Sequence, residues 1–529
     1  MSCARSTTIA NKSLSPLLVV SCKLILVVVV VVLTCTFGAA GKSQFKNSQY
    51  ADYRPTPAPA PDASDPNLKL EPYPHLLGVV ASLCPTDKFK IPPDVTPMNI
   101  YSGGEGVKIE LGADEMSVPA AVDELLRGDF NRSLPTVVYV HGWMQNGDAL
   151  WLKKLRERYV ELSKTNSKYV RRFNFIRFDW SQVSSVAYPK AVKYIPNIGS
   201  RLAKFFSTLK QRHKYGVERL HLVGYSLGAH IVGIAARQLQ AAGSKVRQIT
   251  ALDPAGPCFY TDTAFARAYS LGQDAAETVI VRHYSFGMLG TRSASGDIDI
   301  YVNGGIKQPD TNLNKLYQLV PGGPEHLSAV THETRIAARL NSCYSVAYKC
   351  DDYAKFNAGL CADCHRNGCH NIDLFSEDHI KKPPQSIKMF MKTGFDQICL
   401  YHYQVVAQLR PVVPINVKSA FRSGRVALGF GSDKLEAITT TETKCDGELS
   451  YTTLLTSEKE LDDLKEITFT YIGTGVRLVK PKDFIVVRLN FMSHPKAHVR
   501  RSKSLTFCYN KSKQNSLELC SSSFRGQIC

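Results

Sequence analysis

A chain of 529 residues is too long for one hydrophobic core of ordinary size, so two or more domains are expected. With 44% hydrophobic and 21% charged residues, the composition is that of a globular protein and excludes wholesale disorder. The formal charge of +19 asks either for an anionic partner or for solvated basic faces.

Residues 1–40 read as a secretory signal peptide. Arg5, Lys12 and Lys23 precede an apolar run from Leu24 to Leu33, and Gly38, Ala39 and Ala40 supply small residues for cleavage after Ala40 or Gly41. The rival is a signal anchor from Leu17, but Lys23 interrupts that span. Removal takes Cys3, Cys22 and Cys35 away and leaves twelve of the 15 cysteines, an even number suited to disulfides in an oxidising, extracellular compartment. Secretion also argues against a nucleic-acid partner. Asn131-Arg-Ser and Asn510-Lys-Ser are acceptor sequences for N-glycosylation. Residues 41–75 are rich in proline and read as a linker or propeptide.

From about residue 97, short β-rich runs alternate with helical patterns. The runs are Thr136–Val140, Asn174–Phe178, Arg219–Val223, Gln248–Leu252 and Thr278–His283, with amphipathic stretches at 147–163, 197–212 and 227–242. Gly243 stands where a helix C-cap belongs. Apolar strands in such alternation predict an α/β domain over 76–380, with a mostly parallel sheet covered on both faces. After Lys381-Lys-Pro-Pro384 the helical patterns fade. The runs Ile387–Met391, Leu400–Leu409, Ser450–Leu454, Glu466–Tyr471 and Asp483–Phe491 predict a separate all-β sandwich over 381–529.

The chemistry centres on Gly224-Tyr225-Ser226-Leu227-Gly228. A strand, His221–Gly224, precedes this turn and a helix follows it. A serine on a tight strand-to-helix turn has its hydroxyl pushed clear of the sheet. That hydroxyl needs an imidazole base, and the imidazole needs a carboxylate to fix its tautomer. Asp253 ends the next strand, on the same rim as Ser226. Histidines downstream are His283, His326, His332, His365, His370 and His379, and spacing alone does not choose among them. The strand ending in His141-Gly142-Trp143 offers a backbone N–H at Trp143. With that of Leu227 it forms a candidate oxyanion hole.

These pieces together resemble the pancreatic lipase family, which includes lipoprotein lipase and secreted phospholipases A1. The matching segments are His141-Gly-Trp, Phe178-Asp-Trp-Ser, Gly224-Tyr-Ser-Leu-Gly-Ala-His, Leu252-Asp-Pro-Ala-Gly-Pro-Cys-Phe and Asn303-Gly-Gly-Ile-Lys-Gln-Pro, in the family's order. The resemblance implies an α/β-hydrolase domain. It places the nucleophile at Ser226, the acid at Asp253, the base at His332, and the oxyanion donors at Trp143 and Leu227. It further implies Cys350–Cys361 and Cys364–Cys369 bridges, against a competing zinc site with His365 and His370. The segment from Ile387 resembles the opening of the family's C-terminal PLAT-type sandwich, which serves lipid or partner docking.

The chain also departs from the family. The places of a lid-closing disulfide hold Thr311 and Val330, so a lid across 312–329 is unclamped. The stretch from His283 to Asp297 is short, as in phospholipase-like members. Of the family's calcium positions, Arg267 and Asp274 fit, whereas Ala264 and Tyr269 replace acidic residues, so no metal or other cofactor is expected.

The resulting expectation is a secreted serine esterase acting on triglyceride or phospholipid at an interface. The alternative is an inactive, yolk-like lipid carrier on the same fold, and the presence of all three triad residues favours the enzyme. The basic runs Lys153, Lys154, Arg156, Arg158, Lys164, Lys168, Arg171, Arg172 and Lys496, Arg500, Arg501, Lys503 leave sulfated polysaccharide or an anionic surface as a further partner, against the plainer reading of solvated faces.

Overall fold

The computed structural model describes residues between Cys84 and Leu519, with gaps chiefly at 165–171, 310–322, 340–344, 362–367, 373–385 and 410–423 and between the later strands. The expected signal peptide, the proline-rich segment, Thr311, Cys364, His365, His379, the 381–384 hinge, Asn510 and the second basic run lie outside the described residues.

The first sheet is built from β1 (Met98–Ser102), β2 (Val107–Leu111), β3 (Thr136–Val140), β4 (Asn174–Asp179), β5 (Leu220–Tyr225), β6 (Gln248–Leu252), β7 (Thr278–His283), β8 (Ile298–Val302), β9 (Val346–Lys349), β10 (Cys369–Asn371) and β11 (Ile387–Met391). Their spatial order is β10-β9-β11-β8-β7-β6-β5-β3-β4-β1-β2. The central strands from β11 to β4 are parallel to one another. Antiparallel strands finish both edges.

The helices are α1 (Ser117–Arg127), α2 (Leu150–Lys164), α3 (Ser181–Ser184), α4 (Tyr188–His213), α5 (Leu227–Ala241), α6 (Ala264–Tyr269), α7 (Gly323–Arg339) and α8 (Tyr353–Asn357). One core lies between the sheet and α1, α4 and α5, around Val138, Leu222, Ile231 and Phe205. The other lies between the opposite face and α2 and α7, around Val137, Val223, Leu155 and Ile336. Burial on both faces explains why β3, β4 and β8 have no exposed position; β3 is nearly all apolar, while β4 and β8 also bury Asn174, Arg177, Asp179 and Asp299. The expected α/β class is what the sheet shows.

The strand Ile387–Met391, expected to open the C-terminal domain, joins the first sheet instead. It pairs parallel to β8 and antiparallel to β9. Its largely apolar run suits either sheet, so the sequence could not place it. The boundary expected at 380/381 therefore falls inside the first sheet, and the all-β unit begins with β12 (Tyr401–Leu409). That unit is a nine-stranded antiparallel sheet among the described residues. It meets the first domain through Leu454, buried with Tyr348, Phe356 and Phe390, and through Thr453 Oγ1, which donates to the Asn357 carbonyl.

Cys350 and Cys361 are bridged as expected, and Cys369 is also disulfide-bonded. A pairing the sequence left open, Cys84–Cys258, ties the N-terminal segment to the loop after Asp253. Asn131 is exposed, with its side-chain oxygen accepting from the Ser133 amide at 2.8 Å. The Asp274 carboxylate accepts from Arg237 at 2.7 and 3.2 Å, and Arg267 pairs with Asp262. Among the described residues, no helix is long and apolar enough to cross a membrane.

Candidate active site

Strand order reverses around β3, with β4 on one side and β5 on the other. Open parallel sheets place their sites beyond the strand C-termini at such a switch point. Here β5 delivers Ser226, β3 delivers His141–Trp143, and β6 delivers Asp253.

Ser226 has φ +55° and ψ −121°, a conformation L-residues rarely adopt. It persists because its surroundings fix it. The Ser226 N–H donates to Leu252 O at 3.1 Å, and the Ser226 carbonyl accepts from Ala229 and Ala255. The flanking glycines are required by close backbone approach. A Cβ on Gly224 would lie 2.4 Å from the Gly228 carbonyl oxygen, and one on Gly228 2.3 Å from that of Val140.

The imidazole in reach of this serine is that of His326, not His332. His326 Nε2 accepts from Ser226 Oγ at 2.8 Å, and its Nδ1–H donates to Asp253 Oδ2 at 2.6 Å. His332 lies six residues further along the same helix, which turns it about 240° away. It is buried with its ring edge-on to Tyr284, the centroids 5.2 Å apart. The expectation of His332 is therefore corrected. It took the histidine to precede a helix, whereas His332 is in mid-helix and His326 is in the first turns of α7. The signal available in the sequence was Gly323-Pro324, since proline favours the first helical positions. The corrected register moves the lid-cysteine position from Val330 to Pro324, again not cysteine, and makes 323–329 of the expected lid part of α7.

Asp253 is fully buried. Burial alone would raise its carboxyl. Hydrogen bonds from His326, from the Ser285 hydroxyl at 2.5 Å and from the Tyr284 amide at 2.8 Å reverse this and hold it below the usual carboxylate range. Ser285 and Tyr284 carried no signal in the sequence, because their part depends on the turn beyond β7. That turn, the short stretch before Asp297, folds down onto the acid. A Cβ on Gly290 would lie 2.6 Å from Asp253 Oδ1. His283 is structural, its Nε2 2.7 Å from Asp299 Oδ1 and its ring stacked on Tyr301.

Tyr225, just before Ser226, donates its hydroxyl to the His326 carbonyl at 3.1 Å and packs its ring 4.9 Å from the imidazole. His230, one helical turn after Ser226, donates Nε2–H to Ala255 O at 2.8 Å and accepts the Leu271 amide on Nδ1. Burial lowers its pKa to about 4, so it is neutral and its tautomer fixed.

The loop expected to hold an oxyanion abuts Ser226, since a Cβ on Gly142 would lie 3.0 Å from Ser226 Cβ. Its shape is held from below. His141 stacks on Trp180 and contacts Asp179 at 3.1 Å, Trp143 Nε1 donates to Val186 O, and the Met144 amide donates to Ser184 O. Burial works against ionisation of Asp179, yet His141 and Ser181 bring its pKa down to about 2. Leu227 opens α5, where the first-turn amides face outward without helical acceptors.

Comparison with known proteins shows the family of the chain. The model of the family described as Lipase matches residues 114–397, more than half of the chain. The lipoprotein lipase of Gallus gallus is 30% identical over 364 residues, covering 66% of this chain and 71% of its own. Those of Rattus norvegicus and Homo sapiens are 32% and 31% identical over 304 residues, 54% of this chain and 61% of theirs. A solved acetyl xylan esterase from Aspergillus awamori aligns with 31% of this chain and 66% of its own at 13% identity, with a TM-score of 0.21, too small an overlap to carry an argument.

Proposed function

The chain belongs to the lipase family of carboxylic ester hydrolases, and from that premise we propose that it is a secreted enzyme that cleaves lipid esters with Ser226, His326 and Asp253. The observation that carries this reading is the unbroken line from Ser226 Oγ through both ring nitrogens of His326 to a buried Asp253.

In this mechanism, Ser226 Oγ attacks the ester carbonyl carbon as His326 Nε2 takes its proton. Asp253, already ionised and desolvated, stabilises the resulting imidazolium and fixes the tautomer that makes Nε2 the acceptor. The Trp143 and Leu227 amides stabilise the negative carbonyl oxygen of the tetrahedral intermediate. Collapse expels the alcohol, which takes the proton from His326, and leaves an acyl-serine. Water then attacks the acyl carbon by the same steps in reverse roles. The all-β unit serves as the docking module for a lipid surface, and Asn131, exposed on a turn, carries a glycan.

Triglyceride and phospholipid both present such a carbonyl. The test is hydrolysis of emulsified triglyceride, of phospholipid vesicles and of a soluble short-chain ester, with Ser226→Ala in parallel. The reading requires Ser226-dependent release of fatty acid from at least one lipid. Hydrolysis of none of the three would return the chain to the lipid-carrier alternative.

A further inference from the structure

One buried carboxylate on the helix of His326 contacts residues of two strands that lead into the site without touching Ser226, His326 or Asp253. Glu333 lies in α7, seven residues beyond His326, on nearly the same helical face and about 10 Å along the axis. Its side chain is 2% exposed. Oε2 accepts from Arg282 Nη1 at 2.7 Å, and Oε1 accepts from the Tyr139 hydroxyl at 2.9 Å.

Each partner belongs to a strand that feeds the site. The Arg282 carbonyl accepts the Asp253 amide at 2.8 Å, and Tyr284 and Ser285, just beyond, clamp the Asp253 carboxylate. Tyr139 is two residues before His141, at the start of the oxyanion loop. Its hydroxyl also lies 3.3 Å from that of Tyr159 in α2. Burial and the Glu333 charge keep Tyr139 protonated and therefore a donor. Arg282 Nη2 adds a hydrogen bond to Ile372 O.

We propose that Glu333 is a positioning residue for the hydrolytic centre. Its carboxylate sets the place of the base-bearing helix against β7, whose following turn clamps Asp253, and against the oxyanion strand β3. The proposal rests on the reading of Ser226, His326 and Asp253 above. Apolar contacts of α7 through Val330, Ile336 and Ala337 bury surface but have little directionality, so they tolerate sliding along the helix axis. Hydrogen bonds to two fixed strands do not. A buried ion pair is a poor stabiliser compared with apolar residues of the same volume, so stability alone is a weak reason for placing one here. A shift of about 1 Å in His326 would spoil contacts of 2.6 and 2.8 Å, and displacements of that size cost on the order of a hundredfold in rate.

The test compares wild type, Glu333→Gln and the apolar pair Arg282→Met with Glu333→Leu. The readings are kcat and KM on a soluble short-chain ester, the thermal midpoint, and the low-field proton resonance of the His326–Asp253 hydrogen bond. Glu333→Gln is expected to lower kcat roughly ten- to a hundredfold with KM nearly unchanged, and to move or broaden the low-field resonance. The apolar pair is expected to regain thermal stability while kcat stays depressed. If Glu333→Gln does not fold, the apolar pair carries the same readings. Recovery of kcat together with stability in the apolar pair would overturn the proposal, as would wild-type kcat in Glu333→Gln. Ser226→Ala separates the two levels of inference. Full activity in Ser226→Ala sinks the reading of the centre. Ser226-dependent activity that ignores Glu333 sinks only the positioning role.

Discussion

The assignment of the base is the sharpest point to perturb, because two histidines on one helix make opposite predictions. His326→Ala removes the 2.8 Å contact to Ser226 and the 2.6 Å contact to Asp253 together. Members of a hydrolytic triad act as a unit, so losing the base alone costs roughly 10⁵–10⁶ in kcat. That corresponds to about 7–8 kcal/mol of barrier. The residue is near the rim, so folding should be little affected. His332→Phe keeps an aromatic ring edge-on to Tyr284 and removes the imidazole. The larger ring should cost about 1–3 kcal/mol of stability, while kcat stays within about threefold of wild type. The assay is hydrolysis of a soluble short-chain ester, which avoids any effect of lipid docking. Circular dichroism and the thermal midpoint serve as controls for fold. A folded His332→Phe that loses as much activity as His326→Ala would refute the reasoning.

Further perturbations probe the supports of the site. Gly142→Ala places a methyl group 3.0 Å from both Ser226 Cβ and Tyr225 Cδ1, and should lower kcat about a hundredfold while the thermal midpoint falls little. Steady-state kinetics beside a melting curve will show whether the two effects separate. The Cys84–Cys258 bridge spans 174 residues, so Cys84→Ser should destabilise by about 5 kcal/mol on chain entropy alone. Denaturant titration checks this, and an unchanged midpoint counts against it. Acid should destabilise the fold before it protonates most native carboxylates. Burial lowers His230 and His402 from 6.5 to about 4, so between those values the unfolded chain binds more protons than the folded one. This stability is complete above pH 6.5 and is lost as pH falls toward 4, at roughly 3 kcal/mol per histidine. Unfolding midpoints measured across that window should fall with pH, and less steeply in His230→Gln.

What could be read from the sequence followed from how local each signal is. The strands at 136–140, 248–252 and 278–283 were legible because a parallel strand buried on both faces is an unbroken apolar run between polar turns. Ser226 and Asp253 were legible because each is attached to such a strand, and the strand end dictates where the side chain emerges. The strand at 387–391 was misplaced because its pattern says only that it belongs to a sheet, whereas its neighbours, β8 and β9, are chosen by tertiary contacts. The base differs in kind from both. α7 offers His326 and His332 six residues apart, and the family-like order of residues suits either. What separates them is rotation and register of the helix, set by groups far off in sequence. Tyr225 holds the His326 carbonyl from 101 residues away, and Tyr139 and Arg282 hold Glu333 from 194 and 51. The same contacts that hid the histidine from sequence reasoning are the ones that fix it in the structure. In the proposed mechanism, the hydrogen bonds of Tyr225, Arg282 and Glu333 hold the base from beneath, and variants at these residues should affect turnover more than substrate affinity.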